Sequence, residues 1–170
     1  ILDSKNLHSD VCFDIKGNIP SNLNHLPINL ISEKLKDKYD NVFVFDCGNS
    51  ERLGSLEDLA LKSDNIVVVD HHIDPSFGNV QIIDSTAAST TQVLYREIVS
   101  EGVDIDTSIA NCLMTGLITD TGRFQYSNTN YEVFQIASKL MQSGAELTFI
   151  SDNIYGSIPM NAVKLQSEVL

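Results

Sequence analysis

The chain alternates between short unbroken apolar runs and longer stretches in which apolar residues recur every three or four positions. Val42 to Phe45 and Ile66 to Val69 are continuous apolar runs, and Val80 to Ile83 is a third short segment of the same kind. Short runs rich in β-branched residues predict strands covered on both faces, as in a parallel sheet. Val11 to Ile15 predicts a further strand ahead of them. Pro27 opens a predicted helix with Ile28, Ile31 and Leu35 on one face, ending near Lys38. Leu56 to Lys62 predicts a second helix. A third follows Asp84, Ser85 and Thr86, its N-cap candidates, and runs through Leu94, Ile98 and Val99. From Ile109 to Ile118 apolar residues fall at 109, 113 and 117 and again at 110, 114 and 118. Two apolar faces predict a largely buried helix. Thr129 and Glu132 have capping-box spacing for a last helix with Val133, Ile136, Ala137 and Leu140, stopped near Gly144. Strands alternating with helices predict an α/β fold, a parallel β-sheet flanked by helices.

Both ends read as cuts through a longer pattern. Ile1 stands where no initiating Met is present, no opening strand precedes the first predicted element, and Met160 to Leu170 is an amphipathic helix that stops in mid-repeat. The expectation is a domain over residues 1–157, truncated at both ends, with 158–170 the start of a connecting helix.

Length and composition narrow this further. A chain of 170 residues holds one α/β core rather than two. No apolar run approaches the roughly 20 residues that cross a bilayer, and no signal-peptide pattern is present. Cys12, Cys47 and Cys112 form no CxxC pair, which predicts reduced thiols and a cytoplasmic protein. A formal charge of −12 argues against gripping long nucleic acid by its backbone. A short nucleotide stays open as a ligand, because bound divalent cations invert the local sign.

The chemistry concentrates where the strands end. In a parallel sheet ligands bind at the carboxyl ends of the strands, and two predicted strands end there in acids: Val42 to Phe45 in Asp46, Ile66 to Val69 in Asp70-His71-His72. Asp120, between two threonines at the end of the apolar helix, is a third candidate for the same crevice. Two carboxylates and an imidazole, with no thiolate in context, suit manganese, and magnesium less well. Arg123 either grips a phosphate or pairs with an acid, while Tyr126 and Phe124 are candidates to stack on a base. Asp74 and Asp84 read as turn formers. His8 and His25 read as surface residues, and Cys47 as a small buried thiol.

Val-Val-Val-Asp70-His71-His72, Thr86-Ala87-Ala88-Ser89-Thr90, Gly116-Leu117-Ile118-Thr119-Asp120-Thr121-Gly122-Arg123-Phe124 and Ser127-Asn128-Thr129 occur in that order. Together they resemble the DHH phosphoesterases, and within them the oligoribonuclease (nanoRNase) and pAp-phosphatase type of DHH–DHHA1 architecture. The resemblance implies manganese ligands at Asp46, His71 and Asp120, two ions in the full protein, and a homodimer. It implies that His72 contacts the substrate phosphate or tunes the metal shell, and that Asp70 orients the histidines. Ser89 and Thr90 would lie near the substrate at a helix N-terminus, where backbone donors favour an anion; simple capping is the alternative.

The chain also departs from the family pattern. A His-x-x-Pro-Asp-x-Asp segment after a first strand is absent, and His8-Ser9-Asp10 is no substitute. The glycine-rich C-terminal domain is absent as well, so this chain taken alone is expected to be inactive. The expected function of the full protein is manganese-dependent hydrolysis of very short oligoribonucleotides, linear dinucleotides or pAp by metal-activated water. Alternatives are a cyclic-di-AMP phosphodiesterase, a manganese pyrophosphatase, and a non-catalytic nucleotide-binding domain.

Overall fold

The computed structural model describes residues 7–14, 19–32, 34–73, 76–156, 164 and 168. Three strands form its sheet: β1 (Asn41–Phe45), β2 (Asn65–Asp70) and β3 (Val80–Ile83), in that spatial order and all parallel. The register sets Phe45 opposite Val69 and Asp70 opposite Ile83, so the carboxyl ends of β1 and β2 finish level. The α/β class and the parallel sheet expected from the apolar runs are therefore present.

Alternation across the strands feeds two separate apolar layers. Val44, Cys47, Ile66 and Val68 pack on one face with Leu53, Phe77 and Ile83. Val69 packs on the other with Ala87 and Val93, flanked by Val67 and Ile82. Val93 comes from α2 (Thr90–Ser100), which lies on β2. The third and largest core sits among α2, α3 (Thr107–Asp120), α4 (Tyr131–Gln142) and α5 (Leu147–Tyr155), around the fully buried Met114, Leu117, Ile118, Leu140 and Ile150. The two-faced pattern of α3 has this cause: α2, α4 and α5 all contact it. Gly116 permits a close approach there, since a Cβ would lie 2.3 Å from the Thr91 Cγ2 on α2.

Several local expectations need correction. Val11 makes only an isolated parallel bridge to Ile31, and residues 12–14 pair with no strand; Ile15 lies outside the described residues. Half-exposed Val11 and Phe13 have no layer to bury them, which removes the main driving force for a strand. The helix expected from Pro27 shrinks to one 3₁₀ turn, Ile28–Leu30. Ile31 is extended and the Ser32 N–H donates to the Val11 carbonyl, so the bridge outcompetes the helical period. The segment around Leu56 is a 3₁₀ stretch (Ser50–Leu56) leading into α1 (Glu57–Leu61).

The N-cap of α2 is Ser89, not Asp84, Ser85 or Thr86; that of α4 is Asn130, not Thr129. The carboxylates expected to cap are engaged elsewhere. Asp84 accepts from the Thr86 N–H and hydroxyl and pairs with Arg96, which also forks onto both oxygens of Glu132 at 2.7 and 2.6 Å. Asp84 therefore does shape a turn, and through Arg96 it ties the end of β3 to α4. Asp74 lies outside the described residues, as does most of the helix expected over 160–170; Lys164 and Glu168 are helical. No described helix is long and apolar enough to cross a membrane.

This ion network makes a pH prediction. Hydrogen bonds from Thr86, then from Arg96, hold the Asp84 carboxyl down at about 2. A depressed folded value contributes stability that is present above the unfolded value and lost as pH falls through the folded one. After allowance for partial exposure this amounts to about 1–2 kcal/mol at neutral pH. Asp84→Asn should remove it and flatten the denaturant midpoint between about pH 4 and pH 2. Urea unfolding across that range measures the effect, and parallel curves for the two proteins would refute it.

Candidate metal centre

The site assembles where β1 and β2 end. Asp46 follows β1 with φ at 58°, a left-handed conformation that a short polar side chain tolerates. Its N–H still donates to the Val69 carbonyl at 3.0 Å, so the turn begins while the residue remains attached to the sheet. One turn into the neighbouring layer, the Thr90 hydroxyl donates to Asp46 Oδ1 at 2.8 Å. The backbone of Asp46 and one of its carboxylate oxygens are thereby both held.

Asp70 closes β2 and is fully buried. Its Oδ1 accepts from the His71 N–H at 2.6 Å, the His72 N–H at 3.0 Å and His72 Nδ1 at 2.7 Å. Burial opposes ionisation of this carboxyl, but these hydrogen bonds outweigh it and hold the group below the ordinary carboxylate value. Oδ2 is buried and has no hydrogen-bond partner among the described residues.

The two histidines differ in their supports. His71 Nδ1 lies 3.2 Å from the Ala87 carbonyl oxygen. A carbonyl only accepts, so Nδ1 is the protonated nitrogen of the neutral ring, the tautomer in which Nε2 offers its lone pair. That lone pair faces Asp46 Oδ1 at 3.6 Å and Asp120 Oδ2 at 4.0 Å. His72 donates from Nδ1–H to Asp70, its Nε2 has no partner among the described residues, and the ring is half-exposed.

Asp120 arrives from the last residue of α3. Burial first, and then the negative charge of Asp46, push its carboxyl up. Asn128 holds this corner in place: its Nδ2 donates to the Asp120 and Ala88 carbonyls, both at 3.1 Å. It couples the end of α3 to the loop before α2.

All the candidate ligands named from the sequence thus converge, with one refinement. The tightest grouping of metal-ligating atoms, all within 4.8 Å, is Asp46, Asp70, His71 and His72, with Asp120 beside it. The donors fit a hard divalent cation. Two carboxylates stand within 4.0 Å of one imidazole nitrogen, burial and then their mutual repulsion raise one of them, and a buried carboxylate oxygen stands without a donor among the described residues.

The other candidate site residues are placed differently from one another. Ser89 is fully buried, and its hydroxyl caps α2 on the Gln92 N–H at 3.1 Å. Thr90 reaches the acids. Arg123 is exposed, with its guanidinium carbon 4.1 Å from the centroid of the Tyr155 ring. Cys47 is buried, as expected. His25 is partly buried rather than on the surface, its ring 2.9 Å from the Asn22 carbonyl oxygen and 3.1 Å from the Thr115 hydroxyl on α3.

Comparison with known proteins agrees with this geometry. Residues 4–117 match the DHH family, N-terminal domain. The bifunctional oligoribonuclease and PAP phosphatase NrnA of Thermus thermophilus is 33% identical over 106 residues, covering 62% of this chain and 32% of the relative. An exopolyphosphatase-related protein from Bacteroides fragilis superposes with a TM-score of 0.83 at 26% identity, over 99% of this chain and 53% of its own. A putative family II inorganic pyrophosphatase from Methanococcus jannaschii shares the fold, with a TM-score of 0.52 at 16% identity over 77% of this chain and 42% of its own. The chain spans about a third of the length of the Thermus relative. With the match covering most of the chain and the acid–histidine cluster at its strand ends, the protein belongs to the DHH family.

Proposed function

We propose that the full protein is a manganese-dependent phosphoesterase that hydrolyses very short oligoribonucleotides, linear dinucleotides and pAp. The observation that carries this reading is the convergence of Asp46, Asp120 and the His71 Nε2 lone pair at the carboxyl edge of a parallel sheet. The Thermus relative, an oligoribonuclease and PAP phosphatase by name, supports the substrate class.

In this reading Asp46, His71 and Asp120 hold manganese, with magnesium the other hard cation of suitable charge. The metal supplies a Lewis acid that polarises the phosphate and lowers the pKa of water for in-line attack. The protein's own groups orient the reaction. Thr90 fixes Asp46, and Asp70 fixes His72 with its Nε2 toward the substrate phosphate. Ser89 acts through the helix it caps. Arg123 supplies positive charge for a phosphate oxygen. Residues 1–157 form the metal-binding domain and 158–170 lead out of it; two ions and a homodimer belong to the complete protein. Three free thiols support a reducing, cytoplasmic setting.

The test is a substrate panel for the protein expressed from its full reading frame: pAp, pApA, short RNA, cyclic di-AMP and pyrophosphate, each with Mn²⁺, Mg²⁺ or EDTA. Manganese-dependent hydrolysis of pAp and pApA is expected, with EDTA abolishing it. Turnover of pyrophosphate or cyclic di-AMP alone would overturn the substrate assignment. Nucleotide binding without turnover would favour the non-catalytic alternative.

A further inference from the structure

The turn after α3 holds three consecutive residues at positive φ: Gly122 at 54°, Arg123 at 61° and Phe124 at 64°. Only glycine adopts this conformation freely, and such strain in bulky residues concentrates at functional sites. The turn sends neighbouring side chains in different directions. Phe124 packs inward against Phe134, with ring centroids 5.5 Å apart. Arg123 points outward onto the Tyr155 ring and makes no ion pair among the described residues. This is notable in a chain of net charge −12, with Asp120 only three residues away.

Tyr126 completes the arrangement. A Cβ at Gly122 would meet its Cε1, Cζ and Cε2 atoms at 2.4, 2.4 and 2.6 Å. Near-equal distances to three ring atoms set the face of the ring against the glycine. Tyr126 is nonetheless 62% exposed, so its opposite face is open. Gly122 lies two residues from Asp120, a Cα separation of at most about 7.6 Å. Burial holds the Tyr155 phenol above its usual value, and Arg123, Tyr126 and Asp120 are each near enough to act on it. An exposed aromatic face and a guanidinium with no ion pair among the described residues therefore stand together at the rim of the metal centre.

We infer that Tyr126 and Arg123 form a nucleotide-recognition platform, the base stacking on the open face of Tyr126 and Arg123 holding a phosphate oxygen. The inference rests on the phosphoesterase reading and adds to it the residues that separate nucleotides from base-free phosphates. Stacking suits this task because every base has a π-face, so the platform selects for a base without selecting which one. Tyr155 stiffens the guanidinium by lying under it.

None of these 170 residues is tryptophan, so Tyr126→Trp adds a fluorescent reporter at the platform, read as the difference from the unsubstituted protein. In the protein from the full reading frame, AMP should quench its emission saturably and inorganic phosphate should not. Adding Arg123→Ala should weaken the AMP quench about tenfold, as expected for a charge-assisted contact. In steady-state assays on pAp, Tyr126→Ala should raise KM by roughly 5- to 100-fold with little change in kcat, and Tyr126→Phe should restore it. Emission unchanged by AMP would overturn the proposal, as would equal effects of Tyr126→Ala and Tyr126→Phe. Quenching by AMP in a protein that hydrolyses no nucleotide would uphold the platform and overturn the hydrolase reading instead.

Discussion

His71→Ala is expected to remove nearly all hydrolysis of pApA and to weaken manganese binding by about 100-fold or more. His71 is the single nitrogen donor between two carboxylates, and its Nε2 lies 3.6 Å from Asp46 and 4.0 Å from Asp120. Its tautomer is fixed by the Ala87 carbonyl, so no rearrangement is needed before a cation arrives. Without the ring, the opposing acids keep their repulsion and lose the nitrogen ligand between them. The side chain supports little of the core, so the variant should fold with a near-native circular dichroism spectrum. An unchanged rate in that variant would sink the assignment of His71 as a ligand.

Asp70→Asn should have the largest effect on stability among the site substitutions. The side chain is fully buried, and one of its oxygens takes three N–H donors from the adjoining histidines. Asparagine removes the charge that strengthens those bonds. It also brings an amide N–H₂ into a position where Oδ2 has no partner at present. Weakened charge-assisted bonds together with an unsatisfied buried donor cost about 2–4 kcal/mol. For a domain of this size that corresponds to a fall in Tm of roughly 5–15 °C. His72 loses its orientation with it, so metal affinity should fall about 10- to 100-fold even where folding is complete. Thermal melts with and without Mn²⁺ read both effects. A Tm within about 2 °C of wild type would show that the buried carboxylate is not what organises the turn.

How far the sequence revealed this site depended on whether the signal was local. Asp70-His71-His72 after four β-branched residues states its position and chemistry within one short segment. The parallel sheet was legible for the same reason, because each strand is an unbroken apolar run. The supports of the site were not legible. Thr90 reaches Asp46 across 44 residues, Asn128 reaches Ala88 across 40, and Arg96 reaches Glu132 across 36. Such contacts depend on how the elements are stacked and leave no local pattern. Thr129 and Glu132 show the converse: a capping-box spacing was present, but Asn130 takes the cap on the Val133 N–H, the Thr129 hydroxyl has no partner among the described residues, and Arg96 engages the Glu132 carboxylate. Around Pro27 a helical period was overridden by the bridge between Val11 and Ile31. The α5 helix, carrying the buried Ile150 and the Tyr155 under Arg123, was missed because it is only nine residues long and begins directly after the glycine stop at Gly144.

The central claim is that Asp46 and His71 are ligands of one manganese centre, and direct titration of Mn²⁺ followed by electron paramagnetic resonance tests it without reference to any substrate. The wild-type protein should deplete the free-ion signal at well below the ion concentrations needed by Asp46→Asn or His71→Ala, with each variant weakened by about two orders of magnitude. Identical titrations for all three proteins would contradict the account.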